Sequence, residues 1–267
     1  MYLSPRPTRE TIMTYYPESH SFYKCAIEDE RFAVMRRMRR RKLVRRRRMV
    51  ERFSDQKRGR VLDVGCATGL FLNEMSQAGW QAAGVEISGS AAEYARRRFG
   101  LDVFQGTLSE SPYQPASFDV ITFWDVLEHT FSPAEELATA ARLLRPGGLL
   151  VLNVPNWNSV DRRLFGQHWV GLDAPRHLYV FTHETLEALL SQADFSLLDR
   201  QCFISGYFTF LASLQPWLAA RMPCLSHVVV CVLNVPGMRL LFAPWFTLTN
   251  WLGQGANLSV FARSTAE

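Results

Sequence analysis

The chain reads as an α/β protein: a mostly parallel sheet with helices on both faces, an N-terminal helical arm and an apolar helical insertion. Three observations predict this. Between residues 58 and 200, short apolar runs of strand length alternate with segments of helical spacing, many closed by Gly. The first apolar run ends in a Gly-rich turn that opens a helix. The 267 residues, 48% apolar and 21% charged, suffice for one large α/β domain with additions.

The elements follow in order. Residues 1–30 are rich in Pro, Tyr and Ser and read as an ordered arm or lid, in which Tyr15 and Tyr16 are placed to close over a ligand. Residues 28–54 lack Gly and Pro and read as a helix. "RVLDVG" (60–65) is a buried parallel strand, and "LFLNEMSQAG" (70–79) a helix with a Gly stop. Residues 80–88 form a second strand, 89–100 a second helix closed by Gly100, 101–106 a third strand and 117–124 a fourth. "PAEELATAARLLRPGG" (133–148) reads as a helix stopped by Pro-Gly-Gly, and 149–156 as a fifth strand. Thr182 caps a helix over 182–195; 196–204 and 257–264 read as the last strands. The expected division is 1–57 arm and basic helix, 58–204 ligand-binding core, 205–255 insertion, and 256–267 closing strand and tail.

Charge is lopsided. The net +5 arises from "RRMRRRKLVRRRR" (36–48), in which ten positions are Arg or Lys; the remainder holds 20 basic against 25 acidic residues. The body is therefore acidic, and no base-reading module or interleaving of basic and aromatic residues accompanies the run, which argues against nucleic acid as partner. Five scattered cysteines with no CxxC pair point to a reducing compartment rather than a disulfide framework or structural zinc. The first residues show no apolar core of a signal peptide, so a cytoplasmic location is expected.

The turn after the first strand, Asp63-x-Gly65-x-Ala67-x-Gly69, does not fit G-x-G-x-x-G: Ala67 and Leu70 stand where that pattern needs Gly and Gly or Ala. It resembles motif I of the class I S-adenosylmethionine-dependent methyltransferases, with Ala67 replacing the middle Gly. Glu86, 17 residues beyond Gly69 at the end of the second strand, has the chemistry to take two ribose hydroxyls. "QGTLSE" (105–110), "FDVITFWDVLEHT" (118–130) and "LLRPGGLLVLNVPN" (143–156) resemble the family's later motifs. "YYPE", "WDVLEH", "RPGG" and "GLDAPRHLYVFT" are similar to bacterial small-molecule O-methyltransferases of the ubiquinone-biosynthesis type. The resemblance implies a Rossmann-like seven-stranded sheet with the last strand antiparallel. It implies S-adenosylmethionine as cofactor, contacted by Asp63, Gly65, Cys66, Ala67, Gly69, Glu86, Ile87, Thr107, Leu108 and Trp124.

Asp125, Glu128 and His129 leave the fourth strand at i, i+3 and i+4, one face of a helical turn. Three readings are open: His129 as general base oriented by a carboxylate, all three as ligands of a divalent metal, or a structural pin for the loop. The likeness to ubiquinone-type enzymes implies Glu-x-x-Glu-His as ligands, with Asp125 in the first Glu's place. Beyond the fifth strand, Arg176 suits a carboxylate or phosphate on an acceptor, and Trp169 suits packing.

Residues 205–255 are strongly apolar, carry only Arg221 and Arg239 as charges, and contain four prolines. Such a segment needs cover: a second copy in a homo-oligomer, its own core, or a lipid interface. The expected activity is transfer of a methyl group to a small-molecule or lipid-linked hydroxyl acceptor. RNA methylation, and cofactor binding without catalysis, are the competing functions. The arginine run has two open readings, a solvated helix flank and a foot on an anionic membrane surface.

Overall fold

The computed structural model describes residues 1–16, 27, 30, 33–55, 58–202, 206–235 and 237–266. Pro17 and Glu18 of "YYPE", one of the five cysteines (Cys25) and one of the insertion's four prolines (Pro236) lie outside the described residues.

The centre is a seven-stranded sheet in the order β3-β2-β1-β4-β5-β7-β6. β1 (Arg60–Val64), β2 (Gln81–Glu86), β3 (Asp102–Gln105), β4 (Phe118–Trp124) and β5 (Leu144–Pro155) run parallel. β7 (Asn257–Ser264) slots antiparallel between β5 and β6 (Phe195–Gln201). The expected sheet with its last strand antiparallel is therefore present.

Both faces are covered, and the strands divide their residues with period two. Leu62, Val64, Ile121, Phe123, Leu150 and Leu152 pack with α4 (Pro133–Leu143) and α6 (His183–Gln192). Val61, Val120, Trp124, Val151 and Phe261 pack on the other face with Met49 and Val50 of α1 (Ala33–Phe53) and Phe71 and Met75 of α2 (Leu70–Gln77). α3 (Gly89–Phe99) is capped by Ser88, whose hydroxyl accepts from the Ala91 amide, and packs Ala92 and Ala95 on Cys66 and Leu72. Thr182 forms a capping box with Thr185 at the start of α6.

One boundary differs. "RPGG" is not a helix stop: α4 ends at Leu143, and Leu144–Gly148 already belongs to β5. Pro146 disfavours helical backbone at Arg145, and Gly147 takes φ 73°, so the chain extends before the expected break.

α1 has a clear phase. Arg39, Arg46 and Arg47 turn inward to Glu30, Asp125, and Glu51 with Glu74, while Arg37, Arg40, Arg41 and Arg48 stay exposed. The first residues run beside the segment after α5 (Val160–Phe165): the Leu3 amide donates to the Leu178 carbonyl at 2.9 Å. Between β6 and β7 lie α7 (Gly206–Ala219), α8 (Pro223–Leu233), α9 (Met238–Leu241) and α10 (Ala243–Trp251). No helix among the described residues is long and apolar enough to cross a membrane.

Candidate functional site

The strand order reverses between β1 and β4, and the place beyond the carboxyl ends at such a switch point is where α/β sheets bind ligands. The loop from Gly65 to Gly69 lines it. Gly65 (φ 67°) tolerates no side chain: a Cβ there would meet Val126 Cγ2 at 2.6 Å. Gly69 (φ 76°) is equally tight against Leu101 and Ala95. Ala67 holds φ 48°, a conformation costing an L-residue roughly 1–2 kcal/mol. Its amide donates to Glu86 Oε2 at 2.8 Å, and the Ser88 amide donates to Oε1 at 2.8 Å. These two bonds fix the carboxylate at the end of β2 and tie it to the loop after β1.

Asp63 is buried and accepts from the Thr122 hydroxyl at 2.5 Å. Burial pushes its pKa up to about 7, against the Thr122 bond and the Arg46 charge. Cys66 turns its thiol into the core against Gly84, and burial pushes the thiol pKa well up, so only its backbone remains for a ligand. Leu108 is likewise a core side chain. Ile87 is exposed beyond β2, and Thr107 is anchored to Glu110 through its amide (2.9 Å) and hydroxyl (2.7 Å). Trp124 is held between Phe71, edge-on at 5.5 Å, and the Arg46 guanidinium, 4.5 Å from its ring centre.

Arg46 is the residue that sequence reasoning missed. It reaches from α1 to donate to Asp125 Oδ2 at 3.0 Å. Its side chain is 12% exposed; burial pulls its pKa down, and Asp125 and Asp63 hold it up. Only its place on the same helical face as Leu43 and Val50, both packed in the core, distinguished it in the sequence.

The three candidates after β4 do not act as one set. Asp125, at φ 62°, gives its carboxylate to Arg46, Asn153 and Asn257. The groups that come together are Glu128, His129 and His177, whose ligand atoms lie within 4.8 Å of one another. Asp125 is occupied by three donors, and it is His177 that stands with Glu128 and His129. Glu128 is fully buried, and neither carboxylate oxygen has a hydrogen-bond partner among the described residues. Burial, then the Asp125 charge, pushes its pKa well up. His129 Nδ1 lies 3.0 Å from the Arg176 carbonyl and 2.8 Å from the Tyr16 hydroxyl; His177 Nδ1 lies 2.8 Å from the Gly171 carbonyl. A carbonyl only accepts, so these contacts place the protons on Nδ1 and leave a lone pair on each Nε2, that of His177 lying 3.7 Å from Asp173 Oδ2. Burial, then His177, lowers the His129 pKa to about 3, so the ring is neutral.

Two neighbours are otherwise engaged. Arg176 pairs with Asp173 at 2.6 Å rather than standing open for an acceptor. Trp169 packs with Phe165 and Val180.

A family model for a methyltransferase domain matches residues 35–199. The chain is 35% identical over 106 residues to a ubiquinone biosynthesis O-methyltransferase of Thiobacillus denitrificans, covering 38% of this chain and 46% of that protein. It is 30% identical over 156 residues to the protein of the same description from a Ruegeria species, covering 54% and 63%. These matches span less than two thirds of the relatives' lengths. Among solved structures, a SAM-dependent methyltransferase from Archaeoglobus fulgidus superposes with a TM-score of 0.56 at 19% identity, over 85% of this chain and 94% of that one. The [4+2]-cyclase SpnF superposes with 0.57 at 21%, over 84% and 82%. Such low identities establish the fold alone, and that fold hosts more than one chemistry.

Proposed function

Because the chain belongs to the S-adenosylmethionine-dependent methyltransferases, we propose that it transfers the methyl group to a hydroxyl of a small-molecule or lipid-linked acceptor, held against Glu128, His129 and His177. The cofactor's adenosine end lies along Gly65–Gly69, Glu86, Ile87 and Thr107 in this reading, with Cys66 and Leu108 contributing backbone only. Asp63, Trp124 and Arg46 shape the floor of the site.

The observation that carries the proposal is the cluster's place. Val126 fills the space where a Gly65 Cβ would stand, and Glu128 and His129 follow two and three residues later, so the polar cluster adjoins the loop after β1. The sulfonium is already a good leaving group, so the protein's task is alignment of the nucleophile and care of its proton. Neutral His129, with Nδ1 tied to Arg176 and Tyr16, presents Nε2 as hydrogen-bond acceptor to the hydroxyl; as a weak base it takes the proton only as the O–C bond forms and the oxygen becomes a strongly acidic oxonium.

A second reading has its own support: the partnerless Glu128 carboxylate beside two Nε2 lone pairs is a donor set that fits a divalent cation. Glu128, His129 and His177 would hold it, and a bound cation would lower the acceptor hydroxyl's pKa. Equilibrium dialysis with Mn²⁺ separates the readings: no retained metal leaves His129 alone as the proton acceptor.

Methyl-labelled S-adenosylmethionine offered to metabolite, lipid and RNA fractions tests the function. Label is expected in the metabolite or lipid fraction; label in RNA alone overturns the proposal. His129→Ala should lower turnover roughly 10²–10⁴-fold with cofactor affinity nearly unchanged. Unchanged turnover would remove His129 from the chemistry.

A further inference from the structure

We propose that α8, α9 and α10, together with the outward arginines of α1, form a surface that docks on an anionic lipid bilayer. This goes beyond the methyl-transfer reading and stands without it.

Each helix carries an outward apolar stripe. On α8, Leu225, Val228 and Val232 are exposed at i, i+3 and i+7, while the one buried residue is Ser226. On α10, Trp245, Leu248 and Leu252, the last just past its end, are exposed at the same spacing; Trp251 is 81% exposed, and the one buried residue is Thr249. Leu240 and Leu241 of α9, 71% and 73% exposed, join the two stripes. The buried hydroxyls are satisfied by their own helices, Ser226 donating to Pro223 and Thr249 to Phe246. A helix in water places its apolar residues toward the protein; α10 does so with Phe246, which packs on Tyr207 and Phe210, but both helices turn a further apolar stripe away from it.

The segment is nevertheless firmly attached. α7 packs Phe210, Leu214 and Trp217 on Phe165 and Trp169, and the Tyr207 hydroxyl donates to the Leu233 carbonyl of α8 at 2.5 Å. The exposed stripes therefore ride on an ordered base.

Charge selects the occupant. Residues 206–255 contain no Asp or Glu, and their two charges are Arg221 and Arg239. Arg239 reaches Met38 of α1, Nη1 to Sδ 3.8 Å, so the apolar face adjoins the arginine helix. There Arg37, Arg40, Arg41, Arg45 and Arg48 line one shallow surface depression. Apolar side chains beside a row of cations match the acyl–headgroup boundary of an anionic leaflet. A second copy would bring like charge against like. The helices are too short to span, so they lie in the plane of the interface.

Sedimentation of the full chain with mixed phosphatidylglycerol–phosphatidylcholine vesicles, against phosphatidylcholine alone, tests this. Salt-sensitive binding to the anionic vesicles is expected, with quenching of tryptophan fluorescence by bromine-labelled acyl chains. Arg40→Glu, Arg41→Glu and Arg48→Glu together should weaken partition roughly 100-fold. Leu241→Asp with Trp251→Asp should abolish the quenching. All these side chains are exposed, so thermal melting and S-adenosylmethionine affinity should stay unchanged. Absence of binding, equal binding to neutral vesicles, or a lipid-free dimer that the Leu241→Asp, Trp251→Asp variant dissociates would each overturn the proposal.

Discussion

β4 and α10 are both short, apolar and rich in aromatics, yet their fates are opposite. Every residue of Phe118–Trp124 is buried; of Ala243–Trp251, only Thr249 is. A strand cannot satisfy its own amides, so β4 needs β1 and β5 beside it, and helices then cover both faces. A helix satisfies its amides internally and is free to sit at the rim. Apolar content thus demands cover without saying who supplies it. In β4 the same chain supplies it; in α10 the outward stripe is left for something else.

The largest expected effect tests that contrast directly. Phe123→Ala should cost about 3–5 kcal/mol in urea unfolding, because it leaves a cavity in the middle of the sheet core. Trp251→Ala should change stability by less than about 0.5 kcal/mol. A comparable loss at Trp251 would mean that the α10 stripe is covered in solution, and the contrast would fail.

Two glycines sharpen the comparison within the cofactor half. Gly65→Ala forces φ 67° on an L-residue and drives Val126 aside, so S-adenosylmethionine affinity by calorimetry should fall at least about tenfold. Gly147→Ala also sits at φ 73°, but nothing lies within 4 Å of its new Cβ; it should leave cofactor affinity intact. Equal affinities for the two variants would detach the loop after β1 from the cofactor.

The arginine helix contains the contrast in miniature. Arg46→Lys gives up the stack on Trp124 and shortens the reach to Asp125, and turnover should fall roughly tenfold. Arg40→Lys, on the exposed face, should have no effect on turnover of a soluble acceptor. If both behave alike, the phase of α1 does not matter to catalysis.

These residues mark what was legible in the sequence. The β–α alternation from 58 to 200 and the Asp63–Gly69 turn are local patterns, and the sheet and its switch point follow from them. Arg46 was hidden among ten cationic positions, because which face of α1 meets β4 is a property of packing. His177 was named only as part of a loop; its approach to His129, ring centres 4.6 Å apart, joins residues from different segments. Asp125 fitted a helical spacing, but the backbone there is left-handed and aims its carboxylate elsewhere. Pro-Gly-Gly is locally a helix stop, and β5 took it because pairing with β4 begins at Leu144.

The smallest expected effect is a slope. Asp63 titrates at about 7 when folded, against an ordinary 3.8, because it is buried. Between those values the folded chain holds a proton that the unfolded chain has released, so stability falls as pH rises. The contribution is complete below about 3.8 and gone above about 7. Asp63→Asn cannot titrate yet keeps an oxygen for the Thr122 hydroxyl. Urea unfolding of the variant should therefore lose less stability between pH 5 and pH 7 than the parent does. Glu86, Glu128, Glu136 and Asp161, whose pKa values burial also raises, leave a residual slope of the same sign. The insertion has no carboxylate to contribute, so any slope of this kind belongs to the rest of the chain. Parallel pH profiles for parent and variant would place an ionised Asp63 in the folded core and assign its compensation to Arg46.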